Sequence, residues 1–311
     1  MDPKKIGLLG GRGYVGQEIV ELLSHHKHLN ITSVFSSSKA GQPVDLNTDN
    51  DLLYKDLSID KIDLSDEDAF ILALQNNESQ DYIDLIQRHN PKAIIIDLSS
   101  DHRFDDAWEY RVPELCEKVQ SSKISNPGCY ASAMQFMLAP LKNILVGPAN
   151  LYGISGYSGA GATPNARNDQ EALKDSLLPY SLVSHLHEKE VKAHSYPKIL
   201  FTPHVGNFFR GIMMTGNFIL SEPMSSDQIY NLFVEYYDSK QLISIQHEIP
   251  KLQDVQNTSD VIIGGFAVDQ GIKRLTFCCA LDNLLKGAAT QTVQNLNSAF
   301  GWEDNIGIIQ S

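Results

Sequence analysis

The chain has 311 residues, 42% hydrophobic and 20% charged, with 38 acidic against 25 basic side chains and a formal net charge of −13. That length allows one large or two moderate domains, of which two fit the patterning better, and the acidic balance excludes general nucleic-acid binding, which draws on clustered Lys and Arg. No apolar run approaches the ~20 residues of a membrane helix, and the four cysteines (Cys116, Cys129, Cys278, Cys279) show neither metal-ligand spacing nor a disulfide framework, so no metal is expected and a reducing compartment is.

Residues 1–5, Met-Asp-Pro-Lys-Lys, run straight into an apolar strand over residues 5–10, leaving no room for a signal or transit peptide; a cytoplasmic enzyme is expected. Then comes Gly10-Gly11-Arg12-Gly13-Tyr14-Val15-Gly16, followed by a helix whose Val15, Ile19, Leu22 and Leu23 form one face. Gly10-x-x-Gly13-x-x-Gly16 departs from the G-x-G-x-x-G spacing. Its place between strand and helix still suits a pyrophosphate, because glycines let backbone approach and the helix N-terminus receives the charge. The competing reading is a structural turn. A second strand over residues 30–35 ends in Ser36, Ser37, Ser38 and Lys39, where NAD-selective folds usually place an acidic residue; hydroxyls and a lysine favour NADP(H).

Strands over 69–74 and 93–97, with a helix over 79–89 between them, continue the alternation of a doubly wound parallel sheet. Ser125-Asn126-Pro127-Gly128-Cys129-Tyr130-Ala131 then sets one cysteine where a turn opens into a helix. A thiol there is a candidate nucleophile, since helix N-terminal amides lower its pKa and can stabilise an oxyanion. The alternative is a buried structural cysteine. Beyond it, strands over 151–154, 199–202, 211–219, 242–248, 261–268 and 273–281 suggest a mostly antiparallel sheet. The stretch 284–300 reads as a helix whose Ala288, Ala289, Val293 and Leu296 pack back on the first domain. The predicted fold class is therefore α/β: a Rossmann-type doubly wound parallel sheet in residues 1–128 and 284–311, and an α+β catalytic and oligomerisation domain in residues 129–283.

Six motifs in order, together with the glycine turn, carry a resemblance: D-L-S-S-D-H-R-F (97–104), S-N-P-G-C-Y-A (125–131), S-G-Y-S-G-A-G (155–161), H-L-H-E-K-E (185–190), F-T-P-H-V-G-N-F-F-R-G-I (201–212) and D-N-L-L-K-G-A-A-T-Q (282–291). From residue 5 to about 300 the chain resembles the N-acetyl-gamma-glutamyl-phosphate reductases of the aspartate-semialdehyde dehydrogenase superfamily. The resemblance implies NADPH-dependent reduction of N-acetylglutamyl 5-phosphate to N-acetylglutamate 5-semialdehyde and phosphate, in arginine biosynthesis, through a cysteine thioester. Alternatives are aspartate-semialdehyde dehydrogenase and a non-catalytic NADP-binding regulatory protein.

It implies Cys129 as nucleophile, and His185 or His187 as general acid/base with Glu190 as orienting partner. A proline common before that glutamate is Lys189 here. Which histidine is the base stays open. Arg103 falls where the superfamily places a phosphate-binding arginine, Arg210 resembles the arginine that meets the substrate α-carboxylate, and Arg167 is a weaker candidate. The cofactor is expected on Gly10, Arg12, Gly13, Tyr14, Val15, Gly16 and Ser36–Ser38, with Ser158 and Gly159 near the nicotinamide and Asn283 and Lys286 reaching back from the last helix. The competing readings are a tight turn at 155–161 and helix capping by Asp282 or Asn283. A homodimer or homotetramer is expected. In fungi such reductases are the C-terminal part of a mitochondrial precursor, which would place a processed domain in the matrix.

Overall fold

The first strand, β1 (Lys4–Leu9), is buried along its last four residues, the continuous apolar run of a strand covered on both faces. In this computed structural model residues 2–44 and 52–308 are described. The chain divides into two units, Met1–Pro127 with Ala288–Ser311, and Gly128–Gly287.

In the first unit β1 is followed by α1 (Tyr14–Ser24), β2 (Leu29–Ser36), β3 (Tyr54–Asp56), β4 (Ala69–Leu72), α2 (Gln80–His89), β5 (Ile94–Asp97), β6 (Glu109–Tyr110) and β7 (Lys123–Ser125). All pair in parallel, in the order β3-β2-β1-β4-β5-β7-β6 among the described residues. The order reverses beside β1, which puts the opening glycine turn at the crevice where doubly wound sheets bind ligands. Ile6, Leu8 and Ile71 of the sheet pack with Ile19, Val20 and Leu23 of α1, while Leu9, Phe70 and Leu72 pack with Ile83 and Ile86 of α2. Each helix buries a stripe at 3–4-residue spacing.

The second unit holds α3 (Cys129–Leu138), β8 (Ala149–Gly156), β9 (Leu177–Pro179), α4 (Leu186–His194), β10 (Ile199–Gly206), β11 (Ile212–Ile219), α5 (Ser226–Tyr237), β12 (Ile243–Gln246), β13 (Val261–Asp269) and β14 (Arg274–Leu281). The sheet runs β12-β13-β14-β11-β8-β10-β9. The β8–β10 and β12–β13 pairs are parallel and the remaining pairs antiparallel. The helices α3 and α5 pack on one face. A π-helical turn, Leu285–Ala289, carries the chain back to the first unit and into α6 (Thr290–Ala299), whose Val293 and Leu296 join the α1 core.

Several details differ from the sequence reading. The strands expected over 151–154 and 199–202 extend to Gly156 and Gly206, because their parallel register continues through Ser155↔Val205. Pro203 is tolerated within β10 because only the three-residue β9 flanks its outer edge. The helix expected from 284 opens as the π turn. The strands β3, β6, β7 and β9 were not anticipated; each has two or three residues, too few for a period to register.

Candidate active site

In the first unit Gly10 has φ +86°, and a Cβ on it would lie 2.2 Å from the Ala73 carbonyl oxygen. A Cβ on Gly16 would meet the Gly10 oxygen at 2.7 Å. The turn is thus a cradle that side chains would fill, ending at an α1 whose N-cap, Gly13, brings no side-chain cap. Arg12 is exposed beside it, while Val15 turns its side chain into the core and so offers a ligand only its backbone. Ser36 is buried; its Oγ accepts from the Ser38 and Lys39 amides at 3.4 and 3.3 Å and so shapes the turn that exposes Ser37 and Ser38. At the carboxyl end of β7 the buried Ser125 hydroxyl has no hydrogen-bond partner. A glycine cradle, an uncapped helix start, exposed hydroxyls followed by a lysine and an orphan hydroxyl at the sheet's carboxyl end fit a phosphorylated dinucleotide.

The short strand β7 leads through Asn126-Pro127-Gly128 into α3, so Cys129 is the first residue of a helix entered from the carboxyl end of a strand. No side chain caps α3. Asn126 is held three ways within the first unit: Arg103 Nε donates to its carbonyl at 3.0 Å, Asn295 Nδ2 donates to its Oδ1 at 3.1 Å, and its Nδ2 donates to the Ala288 carbonyl at 3.4 Å. Arg103 also donates from Nη2 to the Leu98 carbonyl, and it is nearly fully buried. On the other side of the turn Gly128 N donates to Glu190 Oε1 at 2.7 Å. Glu190 is wholly buried on α4, so it anchors the backbone that positions the thiol. A Cβ on Gly287 would lie 2.7 Å from Cys129 Cβ; that glycine lets the π turn pass against the cysteine.

His185 and His187 lie neither on a strand nor at random on a helix. His185 is the N-cap of α4, and its Nδ1 accepts from the His187 amide at 3.1 Å. Their rings are 5.0 Å apart, and Tyr130, next to Cys129, lies 6.3 Å from the first and 6.0 Å from the second. Burial, with the Arg167 charge adding to it, pushes His185 down to about 4. It is therefore neutral at neutral pH. Burial, with the charge of Cys129 adding to it, raises Tyr180 to about 12, which keeps that phenol a donor. Burial also raises Tyr130 well above the ordinary phenol value, and its hydroxyl donates to the His204 carbonyl at 2.7 Å.

Arg210 pairs with Asp282, Nε to Oδ2 at 2.7 Å, and donates from Nη1 to Asn257 Oδ1 at 2.6 Å. Asp282 is fully buried and also accepts from the Asn257, Leu284 and Leu285 amides, so it caps the turn that follows β14. Asn283 accepts from the Gly211 amide at 2.6 Å and donates to Ser158 Oγ at 3.0 Å. This joins the 155–161 turn to the β10–β11 loop and the end of β14. Gly159 sits close by, where a Cβ would meet Ser155 Oγ at 2.9 Å. Lys286 is fully buried, with its ammonium 5.6 Å above the Phe136 ring and its charge acting on Asp260.

The second unit thus brings together Cys129, His185, His187 and Glu190 on α3 and α4, and links Ser158, Asn283 and Arg210 through one hydrogen-bonded set. Arg103 and the glycine turn belong to the first unit. Sequence reasoning did not single out Tyr130, Tyr180 or Asn257. Tyr130 adjoins the cysteine, whereas Tyr180 and Asn257 carry no signal of spacing.

Residues 5–122 match the model of the semialdehyde dehydrogenase NAD binding domain and residues 129–283 that of the semialdehyde dehydrogenase dimerisation domain. An N-acetyl-gamma-glutamyl-phosphate reductase of Xanthomonas campestris pv. campestris is 43% identical, over 99% of each chain. Protein arg11, mitochondrial, of Schizosaccharomyces pombe is 38% identical over 98% of this chain and 35% of its own length. The fold is similar to that of aspartate semialdehyde dehydrogenase II from Vibrio cholerae, TM-score 0.78 at 17% identity, over 97% of this chain and 99% of that one. The 43% identity to the Xanthomonas reductase along the whole length of both chains, with the two domain matches, places the chain in the N-acetyl-gamma-glutamyl-phosphate reductase family of the semialdehyde dehydrogenases.

Proposed function

We propose that this chain reduces N-acetylglutamyl 5-phosphate to N-acetylglutamate 5-semialdehyde with NADPH, releasing phosphate, as a step of arginine biosynthesis. The observation that carries this reading is the thiol opening α3, in no disulfide, with Glu190 holding the preceding amide and two histidines at the start of the neighbouring helix. Gly10, Gly13 and Gly16 with the first-turn amides of α1 would hold the pyrophosphate, and Ser37, Ser38 and Lys39 the 2′-phosphate. When bound, NADPH supplies the hydride that takes the acyl group to the aldehyde level.

The rest falls to this chain's residues. Cys129 Sγ attacks the acyl carbon, the bond to the phosphate oxygen breaks, and the acyl group is held as a thioester. Amides in the first turn of α3 stabilise the oxyanion. His187 is the better base: His185 spends its Nδ1 on the His187 amide and its basicity is suppressed, which leaves it a neutral positioning residue. His187 takes the thiol proton and returns a proton as the aldehyde leaves Cys129. Arg103 is assigned to the phosphate by its position after β5, and Arg210, paired with Asp282, to the framework beside the carboxylate site. A cytoplasmic setting accords with four cysteines that form no disulfide.

The test is phosphate-dependent reduction of NADP with N-acetylglutamate 5-semialdehyde. Cys129→Ser should keep NADP affinity and lose turnover by about 10⁴-fold or more; near-normal turnover would remove Cys129 from the mechanism. Faster turnover of aspartate semialdehyde would favour the related dehydrogenase.

The second unit is also proposed to form a homo-oligomer through the sheet face that bears no helix. Strand register puts Tyr152, Leu200, Met213, Thr215, Ile219 and Cys278 on that side, and Tyr152, Leu200 and Ile219 are exposed. Sedimentation should give at least a dimer, and Thr215→Arg a monomer; an unchanged mass for the variant counts against this face.

A further inference from the structure

Two of the arginines expected at an anionic substrate already have internal partners. Arg103 donates to the carbonyls of Asn126 and Leu98, and Arg210 is paired with the buried carboxylate of Asp282. Arg167 differs. Among the described residues no carboxylate lies within ion-pair distance of it, in a chain of net charge −13.

Its place is nevertheless fixed. The Arg167 amide donates to Asn165 Oδ1 at 3.0 Å, Asn165 Nδ2 donates to the Ala160 and Thr163 carbonyls, and Asn168 Nδ2 donates to those of Gly161 and Thr163. Two asparagine side chains thereby replace the ladder that a strand or helix would provide. The guanidinium lies 5.1 Å over the ring of Tyr180, and its charge acts on that phenol. Tyr180 in turn stands 5.4 Å from His185, whose ring is 5.0 Å from that of His187. An exposed guanidinium with its plane set by an aromatic ring loses little freedom when it grips a forked oxyanion. Its charge also reaches the thiol site, since it depresses the basicity of His185.

We infer that Arg167, held by the Asn165/Asn168 loop and seated on Tyr180, is the cation that binds an oxyanion of the acyl substrate at the Cys129 site. The inference deepens the reading of the chain as an acyl-phosphate reductase and rests on it for the identity of the oxyanion. That group is the carboxylate or the phosphoryl group, both of which match a guanidinium fork.

One test needs no substrate. Cys129 in the full-length protein is alkylated with iodoacetate, which is anionic, or with iodoacetamide, which is neutral, and modification at each cysteine is followed by mass spectrometry. The exposed Cys116 serves as internal control. Arg167→Gln should lower the iodoacetate-to-iodoacetamide rate ratio at Cys129 by about 10-fold and leave that at Cys116 unchanged, and Arg167→Lys should restore part of it. In steady state Arg167→Gln should raise one substrate KM by about 10–100-fold with the NADP KM unmoved. A rise for the semialdehyde assigns the contact to the carboxylate, and a rise for phosphate assigns it to the phosphoryl group. An unmoved ratio at Cys129, or both KM values within about twofold of wild type in an active enzyme, overturns the inference. A wild-type protein without turnover would sink the reductase reading instead, while the alkylation ratio still decides whether Arg167 acts on anions at Cys129.

Discussion

The second unit treats its charged side chains in two opposite ways. At the end of β14 the polar groups are matched inside the structure: Arg210 against Asp282, Asp282 also against three amides, Asn283 between Gly211 and Ser158. Glu188 on α4 belongs to the same kind, bonded to Lys192 and the Phe201 amide. In the 161–187 segment Arg167 has no carboxylate within ion-pair distance among the described residues, and burial keeps His185 neutral. Matched charges hold backbone in place; an unmatched one projects a field at whatever binds. The same residue type, arginine, serves framework in one region and, on the inference above, ligand in the other, and its partners decide which.

That contrast makes its largest prediction at Arg210. Replacing it with alanine strands a fully buried Asp282 with amides but no counter-charge, and loss of one member of a buried pair costs about 3–5 kcal/mol. The low end is expected, because the Asn257, Leu284 and Leu285 amides remain. Urea unfolding should show a clear fall in midpoint. Arg167→Gln, on an exposed loop, should change stability by no more than about 0.5 kcal/mol. Equal losses for the two variants would break the distinction between framework and ligand arginines.

Much of this arrangement was readable in the sequence, and the unreadable part has a physical character. Buried runs such as Ile94–Asp97 and the glycine turn declare themselves, because both faces of a parallel strand and a close backbone approach restrict residue choice locally. The placement of Cys129 at a helix start follows from Asn-Pro-Gly alone. The choice between His185 and His187 was not legible, since it depends on an N-cap bond and on burial by Tyr130, Tyr180 and Phe201, which come from other segments. The Arg210–Asp282 pair spans 72 residues, and no local pattern reveals it. Arg167 carries only a weak signal in the sequence, because its meaning lies in facing no carboxylate at ion-pair distance among the described residues, and that is a property of the fold.

The smallest effect sharpens the contrast from the pH side. His185 faces Tyr130, Tyr180, His187 and Phe201, with Arg167 opposing its protonation and Glu188 favouring it. Its folded pKa, about 4, lies below the ordinary 6.5, so the fold disfavours the charged form. Above pH 6.5 the ring is neutral folded or unfolded, and its contribution to stability is fully present. As pH falls below that value the unfolded chain takes up a proton that the folded one refuses. Stability is then lost by about 1.4 kcal/mol per pH unit, up to about 3 kcal/mol, until the folded ring also protonates near pH 4. Buried carboxylates and His26, itself lowered by burial, titrate in or near the same window, so the measurement is the difference between wild type and His185→Gln. The variant should show the shallower fall between pH 6.5 and 4. Arg167→Gln, by removing the charge that opposes protonation, should raise the folded pKa of His185 and shrink the difference. If it leaves the difference unchanged, the Arg167 charge does not reach the histidine, and the claim that this region keeps an uncompensated field fails with it.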